Sequence, residues 1–288
     1  MKSLGLAFGG GGLRGAAHLG VLQVLHENNI NPRYISGTSA GALVAACYAA
    51  GCTPEQIERE FSTAGREDYL DYNWRKLAGW GFNCFMKRKA RLPYGVIKGD
   101  RLEKLVYKLT RGKTLAEAEL PLAVTAVDLD TGRRVIFTNC DMEIEDTRTI
   151  IIKDALLSEA VRASTSIPVT FVPRQWQGLR LVDGGLKDIV PVQVLKIMGA
   201  DYVLGVDLLA GKFEQPVQDM FEIIQRSIDI MVQETSWLDQ QLFADYIISP
   251  EVEDIGLGQT EKIPECIQAG RQAMYQALPK VKSGLKAV

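Results

Sequence analysis

The 288 residues carry 33 Lys and Arg against 35 Asp and Glu, a formal charge of −2, which excludes the strongly basic surface of a polyanion binder and gives no reason to expect a nucleic-acid partner. Hydrophobic residues make up 47% of the chain and charged residues 24%, as in a folded globular protein rather than a disordered or collagen-like one. No apolar run reaches the roughly 18 residues that span a bilayer, and five scattered cysteines lack zinc-site spacing, so the composition predicts a cytoplasmic chain with reduced thiols and no transmembrane segment.

In chain order, the apolar run Leu4 to Phe8 is bounded by Gly9 to Gly12 and followed by a helical pattern from Arg14 to Asn28, with Leu19, Leu22 and Leu25 on one side. Arg33 to Ser36 is a second strand, and Gly37-Thr38-Ser39-Ala40-Gly41 leads into an Ala-rich helix, Ala42 to Ala50, closed by Gly51 as a left-handed cap. Phe61 to Lys98 has little periodicity. It combines Trp74, Trp80, Phe82, Phe85 and Met86 with Lys87-Arg88-Lys89 and Arg91, and reads either as an irregular insertion packed on the core or as a lid or membrane-facing segment.

Asp100 with Glu103 reads as an acidic capping box opening a helix over Arg101 to Leu109. Further strands are expected at Leu122 to Val127, Val135 to Thr138, Leu179 to Val182, Tyr202 to Val206 and Tyr246 to Ile248, with Thr131-Gly132 as a hairpin turn. Val217 to Phe243 has the pattern of an ordinary packed helix, opening a C-terminal helical extension over 217–288. The alternation predicts an α/β sandwich with a mostly parallel central sheet, in one domain over 1–288.

Gly10-x-Gly12-x-x-Gly15 between strand and helix suits two ligands. Its N–H groups can receive the pyrophosphate of a dinucleotide or the oxyanion of a tetrahedral intermediate. A dinucleotide site also wants an acidic residue at the end of the second strand, where this chain has Ile35-Ser36-Gly37. Gly37-x-Ser39-x-Gly41 at a strand-to-helix turn instead presents Ser39 as a nucleophile, the plainer reading being a helix N-cap. The usual His partner is scarce, since His18 and His26 both fall in the first helix. Asp183, at a strand end before Gly184-Gly185, is the better candidate base, although Asp-Gly is also a common turn pair.

These motifs together resemble the patatin-like phospholipase family in order and position, over about Leu4 to Asp207. Secondary resemblances are His18, Gly20 and Ala163-Ser164-x-Ser166-Ile167-Pro168 ahead of Phe171 and Pro173. The resemblance implies a patatin-like three-layer α/β/α sandwich and a Ser39-Asp183 dyad. It also implies an oxyanion hole from Gly10, Gly11 and Gly12, with Arg14, Gly15, Gly37, Gly41, Gly184 and Gly185 as supporting motif residues.

The implied chemistry is metal-independent hydrolysis of phospholipid or other lipid esters through an acyl-enzyme, without an organic cofactor and with peripheral membrane contact. Acyl transfer on the same dyad and a lipid-binding regulatory module with little turnover are the alternatives. One departure stands out: many relatives have Asn five positions after the aspartate, and this chain has Asp188, a second carboxylate that would perturb Asp183 if the two lie close.

Overall fold

The computed structural model describes residues 2–86, 89, 92–144, 146–209, 216–218, 220–252 and 259–286. Lys87, Arg88 and Arg91 of the basic run lie outside them. The N-terminal half runs through β1 (Leu4–Phe8), α1 (Ala17–Glu27), β2 (Tyr34–Gly37), α2 (Ala40–Ala49), α3 (Pro54–Thr63), α4 (Arg66–Tyr69), α5 (Trp74–Phe85), β3 (Gly95–Ile97), α6 (Asp100–Leu109) and β4 (Leu122–Asp128). After it come β5 (Arg134–Thr138), β6 (Thr149–Ile152), α7 (Leu157–Ser164), β7 (Val169–Phe171), β8 (Arg174–Trp176), β9 (Leu179–Asp183), α8 (Val192–Ile197), β10 (Tyr202–Val206), α9 (Met220–Phe243), β11 (Tyr246–Ile248) and α10 (Ile263–Lys286).

The main sheet has the order β11-β10-β1-β2-β4-β5-β6, with β9 on β4 and β8 on β9. β11, β10, β1, β2 and β4 run parallel, while β5 turns back on β4 through Thr131-Gly132, the hairpin expected from the sequence. Alternation along β1 divides the core. Leu4, Leu6 and Phe8 pack with α1, α2 and α10, whereas Ala7 joins Val192 and Leu195 of α8 and Val232 of α9 on the opposite face. The result is the three-layer sandwich, with one hydrophobic cluster running from Leu4 to Leu285.

β4 is buried along its whole length and organises the site. β2 leaves it after Gly37↔Val124, and β9 takes over the same edge from the opposite direction at Ala126↔Asp183. The C-terminal ends of β2 and β9 therefore meet head to head, which brings Ser39 and Asp183 together.

Several local expectations change. The first turn after the glycine loop is a 3-10 turn, Gly12–Ala16, before α1 begins. The cap of α6 is not Asp100 with Glu103. Gly99 is its N-cap residue, and the Asp71 carboxylate accepts from Gly99 N (2.7 Å) and Asp100 N (3.1 Å), while Glu103 pairs with Arg174 (2.9 Å). Phe61 to Lys98 is not irregular: it holds the end of α3, then α4, α5 and β3, and the whole of α5 lies at the surface. α9 is not an ordinary packed helix, because most of its large apolar side chains face outward. β3, β6, β7 and β8 are strands that the sequence pattern does not single out.

Candidate active site

Ser39 sits between β2 and α2 with φ 54° and ψ −122°, a strained conformation for a residue with a side chain. The turn is tight enough to need glycine on both sides: a Cβ on Gly37 would stand 2.4 Å from the Gly41 carbonyl oxygen, and one on Gly41 2.2 Å from that of Phe8. The Ser39 hydroxyl makes no N-cap bond. Its backbone N–H donates instead to Ser164 Oγ at 2.8 Å, which ties the turn to α7.

The Ser39 hydroxyl stands beside the Asp183 carboxyl and favours its ionised form, and Gly185 N donates to Asp183 Oδ1 at 2.8 Å. Burial is the main influence on this carboxyl. It raises the pKa to about 6, against the lowering effect of the Gly185 N–H and the Ser39 hydroxyl, with Asp229 of α9 adding to the rise. Asp188 is not among the groups that perturb it. The Asp188 carboxyl is buried on its own account, faces Arg134 (3.7 Å) and Asp239, and is raised to about 7, chiefly by desolvation.

The glycine loop is held from several sides. Gly10 N donates to Ile189 O (3.1 Å), so this N–H, one of the three expected donors, is already committed. Among the described residues nothing accepts from the N–H groups of Gly11 or Gly12. Arg14 fixes the loop by donating from N and Nε to the Gly11 carbonyl, each at 3.2 Å. His18 lies fully buried against Phe8, with ring centroids 4.5 Å apart and Nε2 donating to Gly9 O at 2.8 Å. Desolvation lowers its pKa to about 4, so it is a neutral prop for the loop and does not reach Ser39 as a base.

Sequence reasoning misses the segment that joins these parts. The carbonyls of Asp188, Ile189 and Pro191 accept from Thr38 Oγ1 (2.7 Å), Gly10 N (3.1 Å) and Ser36 Oγ (2.7 Å), in that order. One stretch of chain just after Asp183 thus clamps both the elbow and the loop. Before the aspartate, Ser166 O accepts from Asp183 N (3.0 Å), and buried Arg162 donates to Ser166 Oγ (2.6 Å) and Val172 O (2.7 Å).

Two cavities meet at Ser39. A cleft of about 580 Å³ takes in Gly10 to Gly12, Arg14 and Asp183, with Glu222, Arg226 and Asp229 of α9 on its far wall. A narrower space of about 120 Å³ is apolar, lined by Leu13, Leu43, Phe61, Leu102, Leu105 and Phe171. Among the described residues no group of three or more His, Cys, Asp or Glu side chains is placed to hold a metal ion.

An α/β sandwich with a serine on a strand-to-helix elbow, a hydrogen-bonded buried aspartate and a glycine loop defines the class of the elbow-serine α/β proteins. Within it, the chain belongs to the patatin-like phospholipase family, whose model matches residues 6–196. An uncharacterised NTE family protein of Mycobacterium tuberculosis is 27% identical over 220 residues, 74% of this chain and 51% of the relative. A second such protein from that organism is 29% identical over 308 residues, 96% and 46%. A lysophospholipase of Mycosarcoma maydis is 30% identical over 209 residues, 72% of this chain and 10% of the relative. The chain spans about half the length of the NTE family proteins it matches. Among solved structures, human GIVD cytosolic phospholipase A2 superposes with a TM-score of 0.52 at 12% identity, over 99% of this chain and 60% of that one. VipD from Legionella pneumophila superposes with 0.50 at 15% identity, over 97% and 67%. These two likenesses are likenesses of fold.

Proposed function

We propose that the chain is a lipid acyl hydrolase, one catalytic domain that cleaves carboxylic esters of phospholipids, lysophospholipids or related lipids through an acyl-enzyme on Ser39. The observation that carries this reading is the placement of Ser39 beside Asp183 on the wall of an open cleft, where that cleft meets an apolar cavity. Family membership and the lysophospholipase relative support it.

In this mechanism Ser39 Oγ attacks the ester carbonyl while Asp183 takes its proton. The carbonyl oxygen becomes an oxyanion and receives hydrogen bonds from the N–H groups of Gly11 and Gly12. Gly10, committed to Ile189, holds the loop in shape. As the tetrahedral intermediate collapses, Asp183 returns the proton to the leaving alcohol. Water then repeats the sequence on the ester, with Asp183 taking one of its protons and Ser39 leaving re-protonated. A carboxylate raised to about pKa 6 is a stronger base than an ordinary one, which narrows the gap to the serine hydroxyl. The acyl chain enters the apolar cavity and the leaving group occupies the cleft.

The test is hydrolysis of p-nitrophenyl esters of increasing chain length, with chelator present throughout. Wild type should turn over, and Ser39→Ala should lower kcat/KM by at least about 1,000-fold. Because Asp183 must be ionised to act as base, kcat/KM should climb tenfold per pH unit below about pH 6 and level off above it. A Ser39→Ala protein with undiminished activity would remove the mechanism.

A further inference from the structure

We infer that the surface built on α5, with Met86, Lys89, Leu92 and Tyr94 beside it, is the face through which the protein docks on an anionic lipid bilayer; the choice of a lipid as occupant rests on the proposed hydrolase function. None of the α5 residues is buried. Trp74 is 67% exposed, Phe82 60% and Phe85 83%, and Met86, Leu92 and Tyr94 are exposed beside them. An apolar aromatic surface of this kind is costly in water unless something covers it.

Charge selects the occupant. Between Tyr72 and Ile97 the sequence has Arg75, Lys76, Lys87, Arg88, Lys89 and Arg91 and no acidic residue, in a chain whose overall charge is −2. Arg75, Lys76 and Lys89 are exposed. An isologous contact with a second copy would set this positive surface against itself, whereas an anionic bilayer complements it and offers hydrocarbon to the rings.

Position links the face to the chemistry. The start of α5 is pinned to β3, with Asn73 N donating to Val96 O (2.7 Å) and a bridge between Tyr72 and Ile97. β3 in turn pairs with β7 through Gly95↔Val169 and Ile97↔Phe171, and Pro168 and Thr170 stand on the wall of the cleft that holds Ser39. Docking by α5 therefore brings the bilayer to the strand that borders the cleft.

The experiment titrates the full chain carrying Ser39→Ala, so that binding is read without turnover, against vesicles of phosphatidylcholine alone and of phosphatidylcholine with about one third phosphatidylglycerol. Cys84, the one exposed cysteine, carries an environment-sensitive dye on the docking face itself. The expected result is tighter binding to the anionic vesicles, a blue shift of the dye, and affinity lost as salt is raised. Combined Arg75→Gln, Lys76→Gln and Lys89→Gln should weaken anionic binding on the order of 100-fold, from about 1 kcal/mol per basic residue. Phe82→Ser with Phe85→Ser should weaken binding to both vesicles.

In the Ser39 background the same substitutions should leave hydrolysis of a short soluble ester unchanged, which also reports that the variants fold. Three outcomes overturn the inference: no preference for anionic vesicles, binding without a dye response, or a wild-type dimer that Phe82→Ser with Phe85→Ser dissociates without lipid. Failure of the hydrolase reading would appear separately, as absent turnover in protein that still binds vesicles.

Discussion

α9 and α10 are both 24 residues long and both amphipathic, yet they use their apolar sides in opposite ways. α10 buries Ile263, Ile267, Met274, Val281 and Leu285 and crosses α1 at backbone contact. There a Cβ on Gly270 would stand 1.9 Å from Ala17 O, and one on Gly20 2.0 Å from Ile267 O. α9 turns Val232, Ser236 and Gln240 inward, with Gln240 Nε2 donating to Asp207 Oδ2 at 2.9 Å. Its Met220, Ile230, Trp237 and Leu238 face outward, and Met231 is 70% exposed. Periodicity thus reports that a helix has an apolar side without saying which side meets the core. The inward side of α9 is mixed: Val232 packs with α8, while polar groups border the site, where Asp229 and Asp239 act on Asp183 and Asp188.

The largest test of this contrast is Gly270→Val. The added side chain meets the backbone of α1, so the variant should fail to fold or lose more than about 4 kcal/mol in urea unfolding, beyond the usual range of point mutations. Met274→Ala empties fully buried volume and should cost about 2–5 kcal/mol in the same assay.

On the α9 side, Asp188→Asn should stabilise the protein. The folded pKa of Asp188, about 7, lies above its ordinary 3.8, so its stability contribution is complete below pH 4 and lost as pH rises through 7. A permanently neutral Asn should therefore gain on the order of 2 kcal/mol at pH 8, and the gain should vanish toward pH 4. A pH series of unfolding curves without that trend would remove the assignment of a buried, charge-strained Asp188. The smallest effect belongs to Met231→Ala, which should stay within about 0.5 kcal/mol of wild type. A cost equal to that of Met274→Ala would mean that α9 is covered and that the contrast between the helices fails.

Much of the fold is legible because its strands are short apolar runs bounded by glycine, as at Leu4 to Phe8, and because Gly51 and Thr131-Gly132 mark their turns directly. Ser39 and Asp183 stand out for a similar reason, since glycine spacing around each marks a sharp bend at a strand end. The glycine loop by itself leaves a dinucleotide open; the missing acidic residue after β2 and the elbow at Ser39 favour the oxyanion reading, and the loop's placement supports it, since a Cβ on Gly10 would lie 3.4 Å from Ser39 Cβ. What stays hidden is contact between distant stretches of backbone. The carbonyls after Asp183 that accept from Ser36 Oγ, Thr38 Oγ1 and Gly10 N are main-chain atoms, which leave no side-chain signature. Asp71 capping α6 escapes for the same reason, because a cap supplied from outside the helix has no fixed spacing.

The shared edge of β4 has a practical consequence. Side chains alternate along a strand, so a slip of β9 by one residue against Ala126↔Asp183 would send the carboxylate to the opposite face of the sheet, away from Ser39. Under the proposed chemistry, turnover is then a direct readout of strand registration: refolded material or circular permutants can be sorted by ester hydrolysis alone, because misassembled sheets keep their secondary structure but lose the rate.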